Sequence, residues 1–170
     1  MIICQLNKET ILTNSNEAIN LQKKSFFGEI LEEKVQYTLT EALYLFETKK
    51  AEIYINSKKL NKKEIENKFF KIDKKFNLKY SVYKDLRKQG YIVKTGLKFG
   101  ADFRVYEKGK TPDNSHAKWL VFIEHETNKN SWQDFSAKNR VAHSTKKKLL
   151  IAIVDEENDI LYYEVNWIRP

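Results

Sequence analysis

The sequence has little of what small secreted scaffolds and fibres depend on. Its single cysteine, Cys4, in 170 residues cannot close an internal disulfide or build a Cys-rich zinc site. A disulfide-stapled secreted domain is therefore excluded, and a reducing, cytoplasmic setting is expected. Two prolines and five glycines exclude collagen-like and linker-type chains. No apolar run approaches the roughly 18–20 residues that cross a bilayer. Residues 1–12 lack a basic start followed by a long apolar stretch, so no signal peptide and no membrane attachment are expected. Also missing are a glycine-rich Walker loop, a GxSxG elbow and an HExxH pair. Low-complexity tracts and internal repeats are absent as well.

What is abundant is aromatic and basic. Nine Tyr, ten Phe and three Trp supply enough core-forming side chains to exclude disorder as the main state. Lys and Arg number 31 against 23 Asp and Glu, a formal net charge of +8. The excess is spread along the chain: 14 basic and 11 acidic residues up to residue 75, then 17 and 12. Such a balance favours a polyanionic partner without specifying a fold.

Periodicity predicts mixed strands and helices. Residues 1–6 and 10–12 read as short strands about an Asn-Lys turn, and 35–38 as a β-type run. A helix opens with Thr40 as its cap and carries Ala42, Leu43, Leu45 and Phe46 as an apolar stripe. After a strand at 53–55, Ile65, Phe69 and Ile72 mark an amphipathic helix over 61–75. A further helix over 76–89 stops at Gly90. Strands are expected at 91–94, 102–106, 119–123, 149–154 and 160–165. The loop 109–115 separates the second and third of these. Ser131-Trp-Gln-Asp134 resembles a capping box for a helix to 144, and the acidic turn 155–159 suits a hairpin. This order predicts α/β or α+β architecture with a mixed sheet.

Candidate chemistry is sparse. Glu124-His125-Glu126 puts three possible ligands in a row, but neighbours on a strand face opposite ways and cannot close on one ion. A metal-dependent DNA nuclease with a restriction-enzyme motif would use Asp102 and Glu124, followed by a lysine where Glu126 stands. Tyr106, His116 and Lys147 sit at predicted strand ends, where functional side chains tend to project.

The ordered motifs Gly90-Tyr-Ile-Val-Lys-Thr-Gly96, Phe99-Gly-Ala-Asp-Phe103, Tyr106, His116, Arg140-Val-Ala-His-Ser144, Lys146-Lys-Lys148, Leu149 to Asp155 and Trp167-Ile-Arg-Pro170 resemble the catalytic domain of archaeal tRNA-splicing endonucleases. Residues 40–45 resemble the family's N-terminal domain more weakly. The resemblance implies an N-terminal α/β domain (1–75) and a restriction-endonuclease-like catalytic domain (76–170). It implies cleavage of precursor tRNA at bulge–helix–bulge motifs, without metal or cofactor, leaving 2′,3′-cyclic phosphate and 5′-hydroxyl ends. It makes Tyr106 the base, His116 the acid and Lys147 the stabilising cation, with the Lys147 ammonium also expected to lower the Tyr106 pKa. Arg140 and Trp167 would stack on an extruded base. A homotetramer is implied, with Asp134 as an acidic subunit contact and Leu161, Tyr163 and Val165 at an interface. A non-catalytic, RNA-binding subunit of a heteromeric enzyme remains the alternative, and a metal-dependent DNA nuclease a weaker one.

Overall fold

A computed structural model describes all 170 residues, in two compact units, Met1–Asn77 and Leu78–Pro170. In chain order the first unit runs β1 (Ile2–Asn7), β2 (Thr10–Thr13), α1 (Asn16–Ser25), β3 (Glu29–Leu31), β4 (Lys34–Tyr37), α2 (Leu39–Glu47), β5 (Ala51–Ile55), β6 (Lys58–Lys59) and α3 (Lys62–Ile72). Its six strands form one sheet in the order β3-β4-β2-β1-β5-β6, with β1 and β5 parallel and the other pairs antiparallel. Alternation does the sorting here. On β1, Ile2, Cys4 and Leu6 are buried while Ile3, Gln5 and Asn7 are exposed.

Helix starts in this unit follow side-chain capping. Thr38, not Thr40, caps α2. Its hydroxyl accepts from the Glu41 amide at 3.2 Å, and the Glu41 carboxylate accepts from the Thr38 amide at 3.0 Å. That reciprocal pair satisfies two otherwise orphaned amides. The Glu41 carboxylate also accepts from Gly28 N at 2.9 Å, tying the helix to the preceding loop. The helix expected over 61–75 is shorter. Asp73 turns to extended backbone after α3, and its carboxylate accepts from Lys75 N at 2.9 Å. This side-chain turn ends one helix before the next begins.

After that turn come α4 (Phe76–Lys88), β7 (Ile92–Thr95), a 3-10 turn at Leu97–Phe99, β8 (Phe103–Tyr106), β9 (Trp119–His125), α5 (Trp132–Ser144), β10 (Lys148–Val154) and β11 (Ile160–Val165). The strands are ordered β11-β10-β9-β8-β7. Only β9 and β10 are parallel, as their connection through α5 requires. One face of this sheet packs on α5 through Leu120, Phe122, Ala142 and Leu149, with Phe99 and Phe135 at the margin. The opposite face meets α4, where Tyr83 and Phe103 bring ring centroids to 5.8 Å. The 3-10 turn is held by close backbone approach. A Cβ on Gly96 would lie 2.8 Å from Ala101 O and 2.9 Å from Phe103 C, a space only glycine leaves open.

Candidate active site

Backbone register decides which side chains meet. Val105 pairs with Trp119, and Trp119 pairs with Lys148. The residues one step beyond that row are Tyr106 at the end of β8, Lys118 before β9 and Lys147 before β10. The loop carrying His116 therefore opens at the same sheet end, and Lys118 N donates to Val105 O at 2.9 Å to close it. Side chains two apart on a strand share a face. Arg104 lies opposite Leu120, so Arg104 and Tyr106 project from the face that α5 covers. Lys147 shares the parity of Leu149 on that face.

The turn after α5 selects among three consecutive lysines. Lys146 adopts a left-handed φ of 55°. Lys146 N donates to His143 O at 3.0 Å and Lys147 N to Ala142 O at 2.8 Å, which is a Schellman closure. It points Lys146 into solvent and sends Lys148 to Glu164 on the other face. The Lys147 ammonium turns inward, donating to Thr145 O at 2.9 Å and lying 4.9 Å from the centre of the Phe99 ring.

Electrostatics separate the members of the trio. Tyr106 is only 3% exposed. Burial pushes its hydroxyl above the ordinary tyrosine range, Arg104 pulls it back, and Asp113 adds to the rise. The expected lowering of the Tyr106 pKa by Lys147 is thus corrected: the net direction is upward, and the cation acting on the phenol is Arg104. Lys147 is itself held below the ordinary lysine range, first by burial and then by Lys98 and Arg104. His116 is exposed in the turn-rich loop and lacks an internal partner.

Arg140 is exposed on α5, and Trp167 is 51% exposed. Trp167 does not stack on Arg140. Its ring meets His143 edge-on, with centroids 4.6 Å apart, and Arg169 lies 6.0 Å from its centre. A cleft of about 560 Å³, lined by Asn139, His143, Lys146, Lys147, Val165 and Trp167 among others, joins this aromatic pair to the lysine turn. His143 was not singled out in the sequence, although its place in the Arg-Val-Ala-His-Ser segment, three residues after Arg140, puts it on the same helical side.

Asp134 is bound at the start of α5. Ser131 Oγ donates to its carboxylate at 2.6 Å and accepts from its amide at 3.1 Å. The Ser131 hydroxyl holds that carboxyl below the usual range. Glu124 is paired with Lys138 at 2.7 Å, His125 with Thr127 at 2.8 Å, and Glu126 accepts from Glu156 N at 3.1 Å. No three His, Cys, Asp or Glu side chains gather in a metal-holding group.

Known proteins resemble the chain along its length. Residues 76–162 match the catalytic C-terminal domain of tRNA intron endonuclease, and residues 3–66 match the N-terminal domain of the same enzyme. A protein named tRNA-splicing endonuclease from Thermococcus kodakarensis is 43% identical over 99% of both chains. One of that name from Methanothermobacter thermautotrophicus is 41% identical over 98% of this chain and 97% of its own. Another from Nanoarchaeum equitans is 40% identical over 85% of this chain and 97% of its own. Matched by both domains and by relatives of nearly equal extent, the chain belongs to the tRNA-splicing endonuclease family.

Proposed function

We propose that this protein cuts precursor tRNA at bulge–helix–bulge motifs without a metal ion, leaving a 2′,3′-cyclic phosphate and a 5′-hydroxyl. The observation that carries the reading is the register that brings Tyr106, the His116 loop and Lys147 to one sheet end. Near-full-length similarity to proteins named tRNA-splicing endonuclease supports it.

In this reading the ribose 2′-oxygen attacks the adjacent phosphorus and its proton passes to the ionised fraction of Tyr106, which the raised pKa makes small but strongly basic. The P–O5′ bond breaks, and the His116 imidazolium gives its proton to the departing oxygen. Acid–base assistance of this type is worth roughly 10²–10⁴-fold per group. Lys147 lies where negative charge builds on the non-bridging oxygens, and a preorganised cation there acts most strongly in the transition state. The His143–Trp167 pair, with Arg140 beside it, offers aromatic and cationic planes for an unstacked base.

Two assembly features belong to the same proposal. Leu161 and Tyr163 are 59% and 52% exposed on β11, the outermost strand of its sheet. They offer an apolar strip for self-association into a homotetramer. Asp134 is the acidic contact in that assembly. The test is incubation of the purified protein with an intron-containing precursor tRNA in EDTA, beside its His116→Ala variant. Cleavage by the wild type alone is expected. Intact RNA with the wild type, or equal cutting by both, overturns the reading.

A further inference from the structure

Arg104 stands out because nothing in the protein answers its charge. It is half-buried on β8, and its Nε is fully enclosed without a hydrogen-bond partner. Its cross-strand neighbours are Lys94 on one side and Leu120 on the other, so the pairing that usually stabilises a strand charge is replaced by a like charge and an alkyl group. The nearest functional side chains add further cations. Lys98 and Lys147 lie 5.2 and 4.9 Å from the centre of one ring, Phe99. Lys98 and Arg104 both act electrostatically on Lys147.

Half-buried guanidinium groups ordinarily find a carboxylate, because an unpaired buried charge is costly. Two lysines gathered on one aromatic ring, with Arg104 acting electrostatically on one of them and no carboxylate paired to Arg104, mark a place where the anion comes from outside. A planar, permanently charged fork suits a phosphodiester, which offers two non-bridging oxygens.

We propose that Arg104, flanked by Lys98, is the phosphate-binding residue of this site, gripping the RNA phosphodiester that Lys147 faces. This rests on the reading above of the sheet end as an RNA-cleaving site. Arg104 supplies binding and orientation, while Tyr106 and His116 move the protons. Arg104 acts electrostatically on both Tyr106 and Lys147, and on the phenol it opposes the rise caused by burial, the role first expected of Lys147.

The test uses a bulge–helix–bulge RNA with 2′-deoxyribose at the cut sites, which binds but cannot be cleaved. Its affinity is measured across a salt series for wild type, Arg104→Met and Arg104→Lys, with thermal melts of all three. Arg104→Met is expected to weaken binding about tenfold or more and to reduce the salt slope by about 1. It is also expected to leave the melting temperature unchanged or higher, since the charge removed has no partner. Arg104→Lys should recover part of the affinity. Binding within twofold of wild type for Arg104→Met overturns the proposal. So does a melting temperature several degrees lower for Arg104→Met with Arg104→Lys at the wild-type value, because that pattern marks a structural charge. Cleavage of the matching all-ribose RNA by wild type is scored separately. If it fails, the cleavage reading falls, while the binding difference still decides whether Arg104 holds phosphate.

Discussion

A buried tyrosine and a half-buried lysine are displaced from their solution behaviour in opposite senses. Burial raises the Tyr106 hydroxyl and lowers the Lys147 ammonium, because each neutral form is the easier one to bury. For Lys147 the consequence has a definite sign. Its lowered value means the ammonium discharges below the ordinary lysine range near 10.5, so a rate that needs the cation falls as pH rises through that lower value. Arginine stays charged throughout this range. Lys147→Arg is therefore expected to carry the alkaline fall in single-turnover cleavage to higher pH, at a reduced maximal rate. An unmoved fall would assign it to another group. The proposed roles of Tyr106, His116 and Lys147 come from their order among neighbouring motifs in the sequence. Arg104 was not legible there, because its distinguishing property is a missing partner, and only the fold shows what surrounds it.

At the scale of elements, the turn after α5 does the selecting. Lys146 occupies the left-handed position that glycine fills at lowest cost. Lys146→Gly is expected to stabilise the protein by about 1 kcal/mol, raising its melting temperature without altering the cleavage rate. A loss of activity with intact stability would place Lys146 rather than Lys147 in the site. Most elements were readable where periodicity and capping agree, as in α5 and the β10–β11 hairpin. The failures have local causes. Helix α1 buries only Ala18, so its sequence shows little apolar stripe, and all three residues of β3 are exposed. The break between α3 and α4 hangs on one Asp73 side chain, and the α2 cap on Thr38 in place of Thr40, two residues that are chemically alike. The neighbours of Trp167 were illegible for a different reason. Its contact with His143 spans the fold and not the helix.

For the whole molecule, the outer strand β11 matters most. An exposed edge carrying Leu161 and Tyr163 is a liability for a lone chain unless another surface covers it. Tyr163→Lys is expected to shift the protein to a smaller species in light scattering and to reduce cleavage of precursor tRNA severalfold or more while the monomer stays folded. Unchanged mass would remove this strip from the assembly. Under the proposed function, the net charge of +8 is a diffuse field that gathers RNA. The central claim, that His116 protonates the leaving 5′-oxygen while Tyr106 takes the 2′-proton, meets its most direct measurement in the cleavage assay repeated with sulfur replacing the bridging 5′-oxygen. A thiolate leaves without an acid, so His116→Ala should cut that substrate at close to the wild-type rate, whereas Tyr106→Phe should remain slow. His116→Ala as slow on the sulfur substrate as on the oxygen one would contradict the account.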